Sequence, residues 1–238
     1  MNIFRFFANP EKRKSADIDL AEILLSLSAR PSAANPDKRI AKILNRCPTR
    51  QSILDKVKEL CGEPETSRQR YICAVADTRS KLESREKAIK SLELYLAGQP
   101  YDEAYKNTHH FRGSKAYTLE EEKRIHLAGM YCNLGKAYEV EHSLKQALIS
   151  YSKELELTPF DPAAYCRVSS VHVKRNQLTS ALNILINAKK SPYYKPIKYQ
   201  TPSGETINED TFKKIIDKHI LDIEKKQENG YIYTPKKK

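Results

Sequence analysis

The stretch AGMYCNLGKAYEVEHSLKQALISYSKELELTPFD, Ala128 to Asp161, decides the fold. It reads as two helices joined by a tight turn. In the first, Tyr131, Leu134, Gly135 and Tyr138 share one helical face. The second spans Ser143 to Leu157, with Leu144, Ala147, Leu148, Tyr151 and Leu155 at spacings of three and four. Pro159 ends it, because proline cannot continue a helix. Asp161-Pro162 then opens the next helix as N-cap and first helical residue.

The unit recurs. Moved forward by 34 residues, Tyr131 falls on Tyr165, Cys132 on Cys166, Leu134 on Val168, Gly135 on Ser169, Ala147 on Ala181 and Tyr151 on Leu185. Moved back by 59, Cys132 falls on Cys73, Leu134 on Val75, Gly135 on Ala76, Ala147 on Ala88, Tyr151 on Leu92 and Pro159 on Pro100. The first copy is therefore the same unit followed by a 25-residue insertion. A fixed period of this length is the signature of a helical solenoid, whose units bury their apolar faces only by stacking on neighbours.

The middle unit resembles a tetratricopeptide repeat, through Leu134-Gly135 and Tyr138 in its first helix and Ala147, Tyr151 and Pro159 in its second. The likeness extends to 162–195 and, more thinly, to 69–102, covering 102 of the 238 residues. It implies an all-α, right-handed helical-hairpin solenoid whose first helices line a concave, peptide-binding groove. On that alignment the groove residues are Arg70, Cys73, Asp77, Asn133, Lys136, Arg167 and Ser170. Some members of the family hold an acidic chaperone tail with a five-residue Lys/Asn/Arg clamp. Here only Asn133 and Arg167 match it, while Cys73, Asp77 and Ala163 do not, and Asp77 would repel a carboxylate.

Around the repeats the chain divides into an apolar and basic tip (1–16), a helical module (17–66), the repeats with their insertion (67–195), a hairpin-like loop and capping helix (196–230) and a basic tail (231–238). The module holds helices at 17–29, 36–46 and 51–61, the last capped by Thr49 and closed by Gly62. Ser84 suits the N-cap of the first repeat's second helix. Thr118 and Glu121 form a capping box, so the following helix begins at Leu119 and runs to about Glu139. The insertion (103–127) carries His109, His110, Phe111 and Tyr117, a candidate lid over the groove. Ile197, Tyr199 and Ile207 flank Pro202-Ser203-Gly204, a pattern for a small β-hairpin near 196–208, with Tyr231–Thr234 returning to pair with it. Phe212, Ile215, Ile216, Ile220 and Ile223 form the apolar side of a helix over 209–227, which shields the last repeat.

The formal net charge is +12. Residues 1–60 and 189–238 each contribute +5, and the region between only +2. The excess at the two ends attracts an acidic partner, which can be a protein, a nucleic acid or a membrane surface. No run of 18 apolar residues is present, so no transmembrane span is expected. Five cysteines, odd in number and scattered through helical segments, point to free thiols in a reducing cytoplasm.

No nucleophile motif, phosphate-binding loop or zinc helix is present. His109-His110 lacks further ligands at metal-binding spacing. The expectation is a non-enzymatic, cytoplasmic protein–protein interaction scaffold without cofactor or metal. The alternative is nucleic-acid association through the basic N-terminal helices and C-terminal tail, which binding that falls steeply with salt would reveal.

Overall fold

The computed structural model describes residues 10–29, 38–80, 85–98, 118–194, 197–200, 206–209 and 211–234. They form ten helices and one two-stranded ribbon, arranged in two compact units, residues 1–107 and 108–238. Several expected features lie outside the described residues. These are the lid (His109, His110, Phe111, Tyr117), the Ser84 cap, the closing Pro100, the hairpin turn Pro202-Ser203-Gly204, and residues 1–9 of the N-terminal tip and 235–238 of the tail.

The first unit contains α1 (Pro10–Ala29), α2 (Lys38–Arg46), α3 (Arg50–Cys61), α4 (Ser67–Arg79) and α5 (Glu86–Ala97). α1 starts well before the expected Asp17, because nothing between Pro10 and Asp17 breaks a helix. α3 opens on Thr49 with a capping box to Ser52 and closes on Gly62 at φ 64°. α4 opens on Thr66, whose capping box is completed by Gln69. Gln69 has no exposed surface, yet its amide donates to the Cys61 carbonyl at 2.8 Å, so burial leaves it satisfied. α5 is preceded at its N-cap by Arg85, which makes no side-chain cap bond. α4 packs between α5 on one side and α1 and α3 on the other. Arg68 ties α4 to α1 through Asp19 at 2.7 Å and Glu22 at 2.5 Å.

The second unit contains α6 (Leu119–Val140), α7 (Leu144–Leu157), α8 (Pro162–Lys174), α9 (Leu178–Lys189), β1 (Ile197–Gln200), β2 (Thr206–Glu209) and α10 (Thr211–Glu228). Thr118 and Glu121 form the capping box of α6, and Asp161 caps α8 through the Ala163 amide with Pro162 behind it. The turns α6–α7 and α8–α9 repeat closely. His142 and Asn176, 34 residues apart, both take left-handed φ (57° and 58°). In the first turn Ser143 N donates to Tyr138 O at 2.8 Å, and in the second Gln177 N donates to His172 O at 2.9 Å. Histidine and asparagine are among the non-glycine residues that tolerate this conformation.

The small and core positions equated by the sequence shift have matching environments. Ala88, Ala147 and Ala181 are fully buried, as are Leu92, Tyr151 and Leu185. The small residues Ala76, Gly135 and Ser169 are buried too. At Gly135 the reason is visible. A Cβ there would lie 2.5 Å from the Tyr151 ring, so α6 and α7 approach this closely only because the position has none. At Ser169 the approach is marked by a hydrogen bond, Oγ to Ala181 O at 3.0 Å.

α10 covers the end of this stack. Its Phe212, Ile216, Ile220 and Ile223 pack on Ala181, Leu185 and Ala188 of α9 and on Cys166 and Val173 of α8. β1 and β2 pair antiparallel with Ile197 opposite Glu209 and Gln200 opposite Thr206. The segment after α10 does not extend this two-stranded ribbon. It docks on the α8–α9 turn instead, where the Asn176 amide accepts from Tyr233 N at 2.6 Å and donates to Tyr233 O at 3.4 Å. An amide side chain held out at a left-handed turn offers the donor and acceptor of a strand edge.

Candidate functional site

An open groove of about 610 Å³ lies in the second unit. One wall is a stripe of α6: Ile125, Ala128, Gly129, Cys132, Asn133 and Lys136. Spacings of three and four bring these residues onto one helix face. The opposite wall is the end of α7 and the start of α8: Glu154, Thr158, Phe160, Asp161 and Pro162. The chain folds this way because Pro159 stops α7 and Asp161-Pro162 restarts the helix within three residues, which leaves a corner facing α6.

The electrostatics are organised by Arg167 on α8. Its Nε donates to Glu154 Oε2 at 2.8 Å, and Nη2 bonds both Glu154 Oε1 and, at 3.0 Å, Asp161 Oδ2. Asp161 keeps its other oxygen for the Ala163 amide, 2.9 Å away. Burial works against the Arg167 cation, but the Glu154 carboxylate more than offsets it and holds the guanidinium charged. Glu154 is itself only 3 % exposed. Its counterparts under the repeat shift are Tyr95 and Ala188, both buried apolar positions. A carboxylate at a core position of one repeat alone is a departure that packing does not ask for.

Cys132 lines the groove beside Glu154 and Lys136 and is itself buried. Burial, reinforced by the Glu154 charge, pushes its thiol up, so the group stays neutral and unreactive. Cys166 is likewise raised by burial, to about 12. Lys136 is exposed, and among the described residues it makes no ion pair. Asn133 is half-buried beside it.

Of the seven contacts expected from sequence, Asn133 and Lys136 line this groove. Arg167 stands behind its wall, held by Glu154 and Asp161. Ser170 is exposed on α8 outside the lining. The first-unit residues make contacts within their own unit. Asp77 is buried, bonded to Lys58 of α3 at 2.6 Å and to the Ser91 hydroxyl of α5 at 2.5 Å. Cys73 Sγ lies 3.5 Å from Cys61 Sγ. Arg70 folds onto the Gly98 backbone and donates to Glu65 O at 3.2 Å. Sequence reasoning missed Gly129, Glu154 and Phe160. Glu154 carried a legible signal, since aligning the repeats places it among apolar partners.

Among the described residues no cluster of three or more histidine, cysteine or carboxylate groups could hold a metal, and no helix is long and apolar enough to cross a membrane. The sequence matches no protein-family model and no curated protein, and the fold matches no solved structure.

Proposed function

We propose that the second unit is a protein-interaction module, which takes a segment of a partner protein in the groove between α6 and the α7–α8 corner. The module is read as tetratricopeptide-like, with its hairpins in right-handed succession, and the protein as a cytoplasmic adaptor without catalytic activity. One observation carries the reading. The groove is lined largely by apolar surface, and it presents Lys136 and Asn133, with no carboxylate among the described residues paired to the lysine, while the groove's own Glu154 and Asp161 are engaged by Arg167. A concave apolar surface with a few uncommitted polar groups is the usual form of a recognition site.

The test is site-specific photocrosslinking. A photoreactive side chain at Asn133, in the groove, is expected to capture a protein from lysate. One at Asn183, exposed on α9, is not. Capture that is equal from both positions sinks the reading. Capture lost on nuclease treatment, with binding that falls steeply with salt, replaces it by nucleic-acid association.

A further inference from the structure

One position of the repeat is cysteine in all three copies, as Cys73, Cys132 and Cys166. The three are buried alike, at 9, 7 and 8 % exposure, so the position itself asks only for a small, mildly apolar group. Cys132 sits in a cluster with Ala147, Tyr151 and Val168, and Cys166 in one with Leu185, Ala188 and Phe212. Cys73 has a different neighbour. Cys61, the last residue of α3, sets its sulfur 3.5 Å from the Cys73 sulfur. Two sulfurs at that distance are in contact, with no atom between them.

Other bonds hold the pair in place. The Gln69 amide donates to the Cys61 carbonyl at 2.8 Å, and the Cys61 sulfur lies 3.6 Å from the Gln69 carbonyl. One turn before Cys61, Lys58 bonds Asp77, one turn after Cys73, at 2.6 Å. A disulfide is about 2 Å long, so the sulfurs have to approach by about 1.5 Å. Cys61 ends α3 and Gly62 leaves the helix at φ 64°, so this shift disturbs no following turn. The contact with Cys61 lowers the Cys73 thiol, against its burial, and the same contact raises the Cys61 thiol. The first proton to leave is therefore that of Cys73, and the thiolate is the reactive form. At Cys132 and Cys166 burial raises the thiol, with no neighbouring thiol to offset it.

We propose that Cys61 and Cys73 are a redox modification site, which hydrogen peroxide closes into a disulfide between α3 and α4. The site lies in the first unit and stands apart from the groove of the second. The Cys73 thiolate attacks one peroxide oxygen and the O–O bond breaks. The departing hydroxide takes up the proton released by Cys73 and leaves as water. Cys61 Sγ then attacks the sulfur of the Cys73 sulfenic acid. The S–S bond forms, the S–O bond breaks, and the hydroxyl leaves with the Cys61 proton as a second water. The sulfur pair gives up two electrons and the peroxide takes them. A dithiol reductant reopens the bond by exchange.

The first test needs no substitution, and Cys132 and Cys166 are its internal controls. The reduced full chain is exposed to hydrogen peroxide, denatured in an alkylating agent and digested with trypsin for mass spectrometry. Cleavage after Lys58, Arg68, Arg70 and Arg79 puts the two cysteines in separate peptides, 59–68 and 71–79. The expected product is these two peptides joined, lighter than their sum by two hydrogens. It is expected to form about tenfold faster than Cys132 and Cys166 lose their thiols. Dithiothreitol should restore both peptides. Cys61 and Cys73 that stay free, that oxidise no faster than the two controls, or that pair with Cys47 or with a second chain overturn the proposal. The oxidised chain is also expected to unfold at higher urea than the reduced one, because the bond restricts the unfolded state. Unfolding at equal or lower urea would show that the sulfurs are not placed for the bond, and overturns the site. Two variants check the order of the steps, with dimedone added alongside the denaturant to trap sulfenic acid. Cys61→Ser should leave a dimedone adduct on Cys73, whereas Cys73→Ser should leave Cys61 unlabelled. Labelling of Cys61 alone would overturn the assignment of Cys73 as the attacking thiol.

Discussion

Two glycines in one helix have opposite meanings, and substitution separates them. A Cβ at Gly135 would come within 2.8 Å of three atoms of the Tyr151 ring, which is itself buried and anchored through its hydroxyl to Glu139 at 2.7 Å. Gly135→Ala is therefore expected to lower stability by about 1–3 kcal/mol through overpacking. Gly129→Ala is expected to raise it by about 0.5–1 kcal/mol, since only the helix-interior cost of glycine is removed. Urea denaturation of the two variants measures both, and a matching sign would remove the distinction between a packing glycine and a surface one. At this scale the sequence was most readable where the repeat imposes one steric demand several times. The triplets Ala76/Gly135/Ser169 and Ala88/Ala147/Ala181 declare themselves because a large residue fits at none of them. Gly129 could not be read, because no packing inside the unit requires it and nothing within the chain repeats it.

The joint between α7 and α8 is where an element boundary becomes a binding wall. Arg167 bonds a carboxylate from α7 and another from the cap of its own helix, so the angle of the corner depends on one guanidinium. Glu154→Ala leaves that cation half-buried with only Asp161, at an expected cost of about 2–3 kcal/mol, below the usual range for a broken buried pair because Asp161 remains. Glu154→Ala combined with Arg167→Ala should cost less than the sum of the two single changes, and additivity in the denaturation cycle would refute the coupling. The ion pair between α9 and α10 behaves differently because it is exposed to solvent. Lys189 at 2.9 Å, with the Tyr194 hydroxyl at 2.7 Å, holds the Asp217 carboxyl below its ordinary range. A depressed carboxyl contributes stability above its unfolded pKa, near 3.8, and loses it as pH falls through the lower folded value. Asp217→Asn should thus flatten the acid limb of the stability curve by only about 0.2–1 kcal/mol, since both partners are over a third exposed. Unfolding compared at neutral and acid pH reads the difference, and a variant as acid-sensitive as the native chain contradicts it. Helix limits were legible where a cap or proline sets them, as at Thr49, Thr118 and Asp161-Pro162. The docking of Tyr233 on Asn176 was not, because it joins groups 57 residues apart that no local pattern links.

At the scale of the molecule, periodicity places three repeats along the chain with an insertion after the first, and the chain divides into its two compact units within that insertion. A repeat pattern states that a helical face must be covered, not which neighbour covers it. In the first unit the cover comes from α1 and α3, whose Leu24, Leu54 and Val57 are buried together with Ile72 and Leu92 of the repeat. In the second it comes from α10, whose Ile216 is buried with Leu185 and Val171. Each unit therefore has its own terminal cover, and stacking energy in such architectures is a sum of nearest-neighbour terms. Units of 107 and 131 residues also fall in the ordinary size range of single domains. Residues 1–107 and 108–238 expressed as separate fragments are accordingly expected to show helical circular dichroism and one cooperative urea transition each. Their summed transitions should reproduce the curve of the intact chain. A second fragment that stays unfolded until the first is added would show that its core is completed by its neighbour. The groove between α6 and the α7–α8 corner would then depend on both halves of the protein rather than on one.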